Sequence, residues 1–136
     1  MSVVSELIRV EADNTISFGN YELAEKTKRQ DFEYAGDLYK VKTFKEITKL
    51  ERNGMFVYES VPGTSVEHFA ESENGVSFTV EGTEDAQITL GLEEDTEYDV
   101  KINGEDAGRM RTNLGGKLNV SVELAEIGEV KVEISK

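Results

Sequence analysis

Apolar and polar residues alternate along most of this chain. Val76, Phe78 and Val80 alternate with Ser77 and Thr79; then come Ile88, Leu90 and Leu92, and Tyr98, Val100 and Ile102. Leu118, Val120, Val122 and Leu124 make the clearest run, and Val130, Val132 and Ile134 close the chain. A period of two puts each set of apolar side chains on one face of a strand, with the polar set facing water. That is the signature of antiparallel sheet with one face buried. The turn chemistry agrees. Asn-Gly occurs at Asn53-Gly54, Asn74-Gly75 and Asn103-Gly104, and supplies the positive φ angles of type I′ hairpins. Gly115-Gly116 and Gly128 separate the last runs. Short strands at this spacing predict an all-β fold, an antiparallel sandwich or barrel.

The first half is less regular. "ELIRVE" and "TISFGNYEL" read as two strands around Asp13-Asn14, and "DLYKVKTF" alternates again. "AEKTKRQDFEYAG" is polar enough for a loop or an edge strand. "TFKEITKLERNG" has two readings. Thr43 and Glu46 have capping-box spacing, and Phe44, Ile47 and Leu50 fit one helix face. Asn53-Gly54 followed by "MFVYESV" signals a hairpin instead, and the hairpin is favoured. The single proline, Pro62, sits in the turn "SVPGTS". It suggests an N-terminal antiparallel β unit over residues 1–62 packed against a sandwich-like domain over 63–136, or a loop within one continuous domain.

Charge changes the picture in one respect. The 136 residues carry a formal net charge of −13, unevenly placed. Residues 1–60 hold nine Lys/Arg against eleven Asp/Glu; residues 61–136 hold six against seventeen. Phosphate backbones and anionic membranes favour the opposite sign, so the expected partners include neither nucleic acid nor membrane. There is no cysteine, so disulfides and thiolate metal sites are excluded. The first residues carry no basic leader with a long apolar run, and no segment is apolar enough for a membrane helix; the expected location is cytoplasmic.

Catalytic chemistry is hard to assemble from these residues. His68 is the only histidine, so a triad or a multi-histidine metal site has little to draw on. "NLGGKLNV" lacks the spacing of a phosphate-binding loop and reads as a turn. Twenty-eight acids make carboxylate pairs abundant, which keeps open a small glycosidase-like enzyme. Tyr39, Phe56 and Tyr58, with Tyr34, are the candidate aromatic platform for a ligand, though such rings more often pack in the core or across strands. "DVKINGEDAGR" has some calcium-loop residues, but its alternation reads as a strand. A weak calcium site from Asp95, Glu105 or Asp106 is the remaining metal option. No catalytic residue, metal ligand or cofactor is assigned.

"ITLGLEEDTEYDVKING" resembles the corner before the tyrosine strand of fibronectin type III and immunoglobulin-like sandwiches. Leu92, Thr96, Tyr98, Val100 and Ile102 match that pattern, while Glu94 stands where the family usually has proline. The resemblance implies that Leu92 and Tyr98 are structural, with the Tyr98 hydroxyl bonded back to upstream backbone. The hallmark tryptophan is missing, and three runs follow the tyrosine strand where a fibronectin domain has one. "TNLGGKLNVSVEL" is similar to accessory modules of bacterial polysaccharide-degrading enzymes, and the whole chain looks like a small bacterial β protein. The expectation is a non-catalytic binding module for an unknown protein or glycan, able to self-associate through edge strands. A small carbohydrate-active enzyme and a calcium-stabilised domain are the alternatives.

Overall fold

The alternating runs become thirteen strands, with no α-helix among the described residues, 3–136 of the computed structural model. In chain order they are β1 Ile8–Val10, β2 Ile16–Phe18, β3 Thr27–Tyr34, β4 Asp37–Phe44, β5 Ile47–Arg52, β6 Met55–Val61 and β7 Ser65–Ser72. Then come β8 Gly75–Glu81, β9 Ala86–Gly91, β10 Glu97–Ile102, β11 Glu105–Arg111, β12 Lys117–Val122 and β13 Glu129–Ser135. They form two antiparallel sheets. One has seven strands in the order β1-β2-β7-β8-β13-β10-β11; the other has six, β12-β9-β6-β5-β4-β3.

The ambiguous segment is a pair of strands. Phe44 pairs with Ile47 across the two-residue turn Lys45-Glu46, and β5 continues into the Asn53-Gly54 hairpin. The helix reading fails because Thr43, Thr48 and Leu50 share a buried face at strand periodicity. Asn53-Gly54 (φ 51° and 80°) and Asn103-Gly104 (φ 53° and 81°) have the left-handed pair that a type I′ turn needs. Asn74-Gly75 works differently. The turn residues there are Glu73 and Asn74, and Gly75 opens β8. A Cβ on Gly75 would lie 1.8 Å from the Ile134 carbonyl oxygen, so β13's close approach requires the glycine. The polar segment before Tyr34 is the edge strand β3, exposed along most of its length and broken by a bulge between Arg29 and Phe32.

Strands on either side of Pro62 enter both sheets. β1 and β2 join the C-terminal strands β7, β8, β10, β11 and β13, while β9 and β12 extend the sheet built from β3 to β6. Residues 62–64 are the passage from one sheet to the other. The inner faces contribute to one buried cluster. Rings from the two sheets meet in it edge to face: Phe18 lies 5.2 Å from Tyr58, and Tyr58 lies 5.7 Å from Phe78.

That cluster has a polar knot at the 62–64 passage. Thr43 and Thr48 share a 2.8 Å hydrogen bond, and the Thr48 hydroxyl donates to the Thr64 carbonyl. The Thr64 hydroxyl meets Tyr58 at 2.8 Å and Ser60 at 2.7 Å. All five side chains are fully buried, so each hydroxyl needs a partner within the protein and has one. A Cβ on Gly63 would stand 2.0 Å from the Phe44 carbonyl oxygen, which fixes glycine beside the knot.

Candidate functional site

The aromatic residues singled out above do not share a surface. Tyr58 is fully buried in the core, and its hydroxyl is engaged by Thr64. Burial pushes its pKa well above the ordinary tyrosine range, with the Thr64 and Ser60 hydrogen bonds working the other way. Tyr39 is also buried, edge to face with Tyr34 at 5.7 Å. Burial raises its pKa too, against the pull of Arg52. Only Phe56 lies on the outer side. A bulge in β6 places Val57 and Tyr58 inside and leaves Phe56 opposite Glu51. Two of the three rings thus face the core, and Phe56 faces away from it.

The other candidates are also placed. Tyr98 is buried, and its hydroxyl accepts from the Glu93 backbone N–H at 3.2 Å; Leu92 packs against the core. Thr112, which no sequence pattern pointed to, locks the same corner. Its buried hydroxyl donates to the Glu93 carbonyl at 2.6 Å and accepts from the Thr96 N–H at 2.9 Å. His68 is exposed. Its Nδ1 lies 3.0 Å from Asp13 and 3.2 Å from Thr15, so both contacts fall on one nitrogen, whereas a catalytic triad uses both. Asp95 pairs with Arg111 at 2.8 Å. Glu105 and Asp106 lie beyond the other end of β10, roughly 20 Å away at about 3.4 Å per residue, too far to share an ion with Asp95.

Two charge clusters emerge only from the pairing. On the outer face of the six-stranded sheet, Lys28 pairs with Lys42, and Lys42 with Lys49. The same row runs on through Glu59, Thr89 and Asn119 to the far edge. Lys40 points the same way as Lys42, and Lys117 projects from β12 beside Gly91. Among the described residues, Lys49 meets Glu51 at 3.6 Å, while Lys28, Lys40, Lys42 and Lys117 have no carboxylate within 4.0 Å. Like charges directly opposite one another in a sheet are destabilising. Phe56 lies on this face near the Asn53-Gly54 hairpin. The Lys117 ammonium stands 4.6 Å from its ring centroid and that of Lys49 6.0 Å.

On the outer face of the seven-stranded sheet, Glu81 pairs with Glu129, and Glu67 lies diagonally beside them. One carboxylate oxygen of each lies within 4.8 Å of the others. Burial, then Glu81 and Glu129, raise the Glu67 pKa, against the pull of His68 and Arg9. One Glu81 oxygen is buried without a hydrogen-bond partner. Three carboxylates are the donor type a hard cation takes; with one oxygen each they supply about half of the six to eight that calcium uses. Arg9, the arginine that acts on Glu67, is itself bonded to Glu11 at 3.0 Å.

No family model matches the sequence, no curated protein matches it, and no solved structure matches its fold. No helix among the described residues is long and apolar enough to cross a membrane.

Proposed function

We propose that this chain is a non-catalytic interaction module, an immunoglobulin- or fibronectin-like β-sandwich that holds a protein or glycan partner on its six-stranded sheet. The observation that carries this reading is the row Lys28–Lys42–Lys49. Three cations set face to face cost the isolated fold stability, and a bound anionic partner turns that cost into attraction. The scaffold supports the same reading. Tyr98 with its Glu93 bond, and the packed Leu92, behave as corner residues do in such sandwiches. The fold thus gives a rigid frame, and the specificity lies in the side chains on its outer face.

The test uses the full chain. A glycan array and analytical ultracentrifugation, alone and with candidate proteins, should reveal a ligand or a self-association. Changing Lys28, Lys42 and Lys49 together to glutamate should abolish it while leaving the circular dichroism melt cooperative. A protein that stays monomeric and binds no glycan or candidate protein refutes the reading. So does binding that is unchanged in the triple variant.

A further inference from the structure

We infer that the partner of the six-stranded sheet is an anionic polysaccharide, a chain bearing uronate or sulfate groups laid across β3, β4 and β5. This deepens the interaction reading above and rests on it. Neighbouring strands are about 4.8 Å apart, so the backbone positions of Lys28, Lys42 and Lys49 span about 10 Å at regular intervals. Lys40 adds a cation one pleat along β4. Evenly spaced cations on an open sheet face suit a polymer with repeating charge better than a small anion, which needs convergent donors in a concave site.

The neutral groups on the row narrow the chemistry. Beyond Glu59 it passes to Thr89 and Asn119, which share a 2.8 Å hydrogen bond; beside them Gln87 donates to Ser121 at 2.7 Å. Each pair keeps spare capacity. The Asn119 amide N–H groups, the Gln87 carbonyl and the hydroxyl lone pairs remain to meet sugar hydroxyls. Single-stranded nucleic acid needs bare aromatic faces for its bases. On this face Phe56 is half-buried and already held by Lys49 and Lys117. An extended acidic peptide would draw on backbone groups at a sheet edge, while these lysines run inward from β3 across the sheet. The net charge of −13 repels a polyanion from the rest of the molecule. That repulsion favours this one face and makes binding sensitive to salt.

Affinity electrophoresis and titration calorimetry of the full chain test the proposal. The probes are polygalacturonate (carboxylate arm), heparin (sulfate arm), neutral dextran, a poly-glutamate peptide and oligo-dT. Retardation by one or both acidic polysaccharides and not by dextran is expected, falling steeply as salt is raised. Changing Lys28, Lys42 and Lys49 together to glutamine should weaken binding about tenfold or more. Lys42→Gln alone should weaken it by a smaller factor and guards against a folding defect in the triple variant. Lys131→Gln, on the outer face of the other sheet, should bind as the wild type does. Tighter binding to poly-glutamate or oligo-dT than to either polysaccharide overturns this inference but leaves the interaction module standing. Equal binding by the wild type and the lysine variants overturns it as well. Binding to none of the anions also overturns it; a neutral-glycan array and a self-association measurement then judge the broader reading separately.

Discussion

On the seven-stranded sheet Arg109 reaches Asp99 and Glu97, Arg111 reaches Asp95 and Glu97, and Arg9 reaches Glu11 and Glu6. On the six-stranded sheet Lys28, Lys42 and Lys49 stand side by side, with one ion pair among them. Both sheets share a core, and both present a polar outer face. On one the arginines serve the fold by neutralising neighbouring acids, and only Lys101 and Lys131 have no carboxylate within 4.0 Å among the described residues of its strands. On the other Lys28, Lys42 and Lys49 are placed against each other, and acids enter only beside Lys40 and Lys49, at Glu51 and Glu59. The difference separates charge that is structural from charge that is available. A net charge of −13 says nothing of this, because the sum hides where the free cations lie.

The largest effect on the basic face should come from its backbone. Gly91 lies beside Phe56, and a Cβ there would stand 2.4 Å from the Phe56 carbonyl oxygen. Gly91→Ala should therefore push β6 and β9 apart, lowering stability by about 1–3 kcal/mol in a urea titration and weakening anion binding as the Phe56–Lys117 contact shifts. If stability and binding both stay at wild-type values, this row is not the rigid frame described here. The next effect has the opposite sign. Lys42→Glu places a carboxylate between Lys28 and Lys49, replacing two repulsive cross-strand pairs by attractive ones. Stability should rise by about 0.5–1 kcal/mol, and the rise should shrink in high salt. Such a rise would show that the row costs the isolated fold stability. A neutral or destabilising result would remove that argument.

Much of the fold was legible in the sequence and the basic face was not, for one physical reason. A strand's own alternation is local, so Leu118, Val120 and Val122 announce their buried face without knowledge of any neighbour. The lysine row is a property of pairing. Lys40, Lys42 and Lys49 alternate with buried residues in the sequence, but their alignment needs the register, and the register rests on the Lys45-Glu46 turn. The capping-box spacing of Thr43 and Glu46 competed with that turn. The tight packing of Thr43 and Thr48 in the hydroxyl knot decided it. The side of the sheet that Tyr58 occupies was not legible for a related reason. Alternation from Phe56 puts Tyr58 on the same side, and the bulge at Val57 reverses it. Tyr98 was legible because its corner is written in consecutive residues. Thr112, sixteen residues from its partner Thr96, was not.

The acidic cluster gives a smaller, pH-dependent effect. The fold raises the pKa of Glu67, so its ionised form is disfavoured relative to the unfolded chain. The associated stability is fully present below the ordinary value of 4.5 and is lost as pH rises through the raised folded value. Glu67→Gln removes that loss. The variant should match the wild type in acid and exceed it at neutral pH by a few tenths of a kcal/mol, the group being largely solvent-screened. Thermal melts across the pH range would show the two curves diverging upward through the carboxylate range. Curves that stay parallel would mean that neither burial nor the Glu81 and Glu129 charges disfavour ionised Glu67. A wild-type melting temperature raised by millimolar calcium, and not raised in Glu67→Gln, would mean that the cluster is relieved by a cation instead.

The smallest effect is expected where the charges are already paired. Arg109 sits between Glu97 at 3.4 Å and Asp99 at 2.8 Å, with all three side chains about half exposed. Exposed pairs of this kind contribute about 0–1 kcal/mol, and the acids left behind regain water when the arginine is removed. Arg109→Gln should thus lower the melting temperature by only a degree or two, roughly what a few tenths of a kcal/mol produce in a domain of this size. The anionic probes should bind as before, because this cation is committed to its own sheet. The outcome that would break the comparison is loss of polysaccharide binding in Arg109→Gln, since the available charge would then lie on the seven-stranded sheet. Retained binding here, together with loss in the lysine variants, would assign the ligand to the face where cations meet cations.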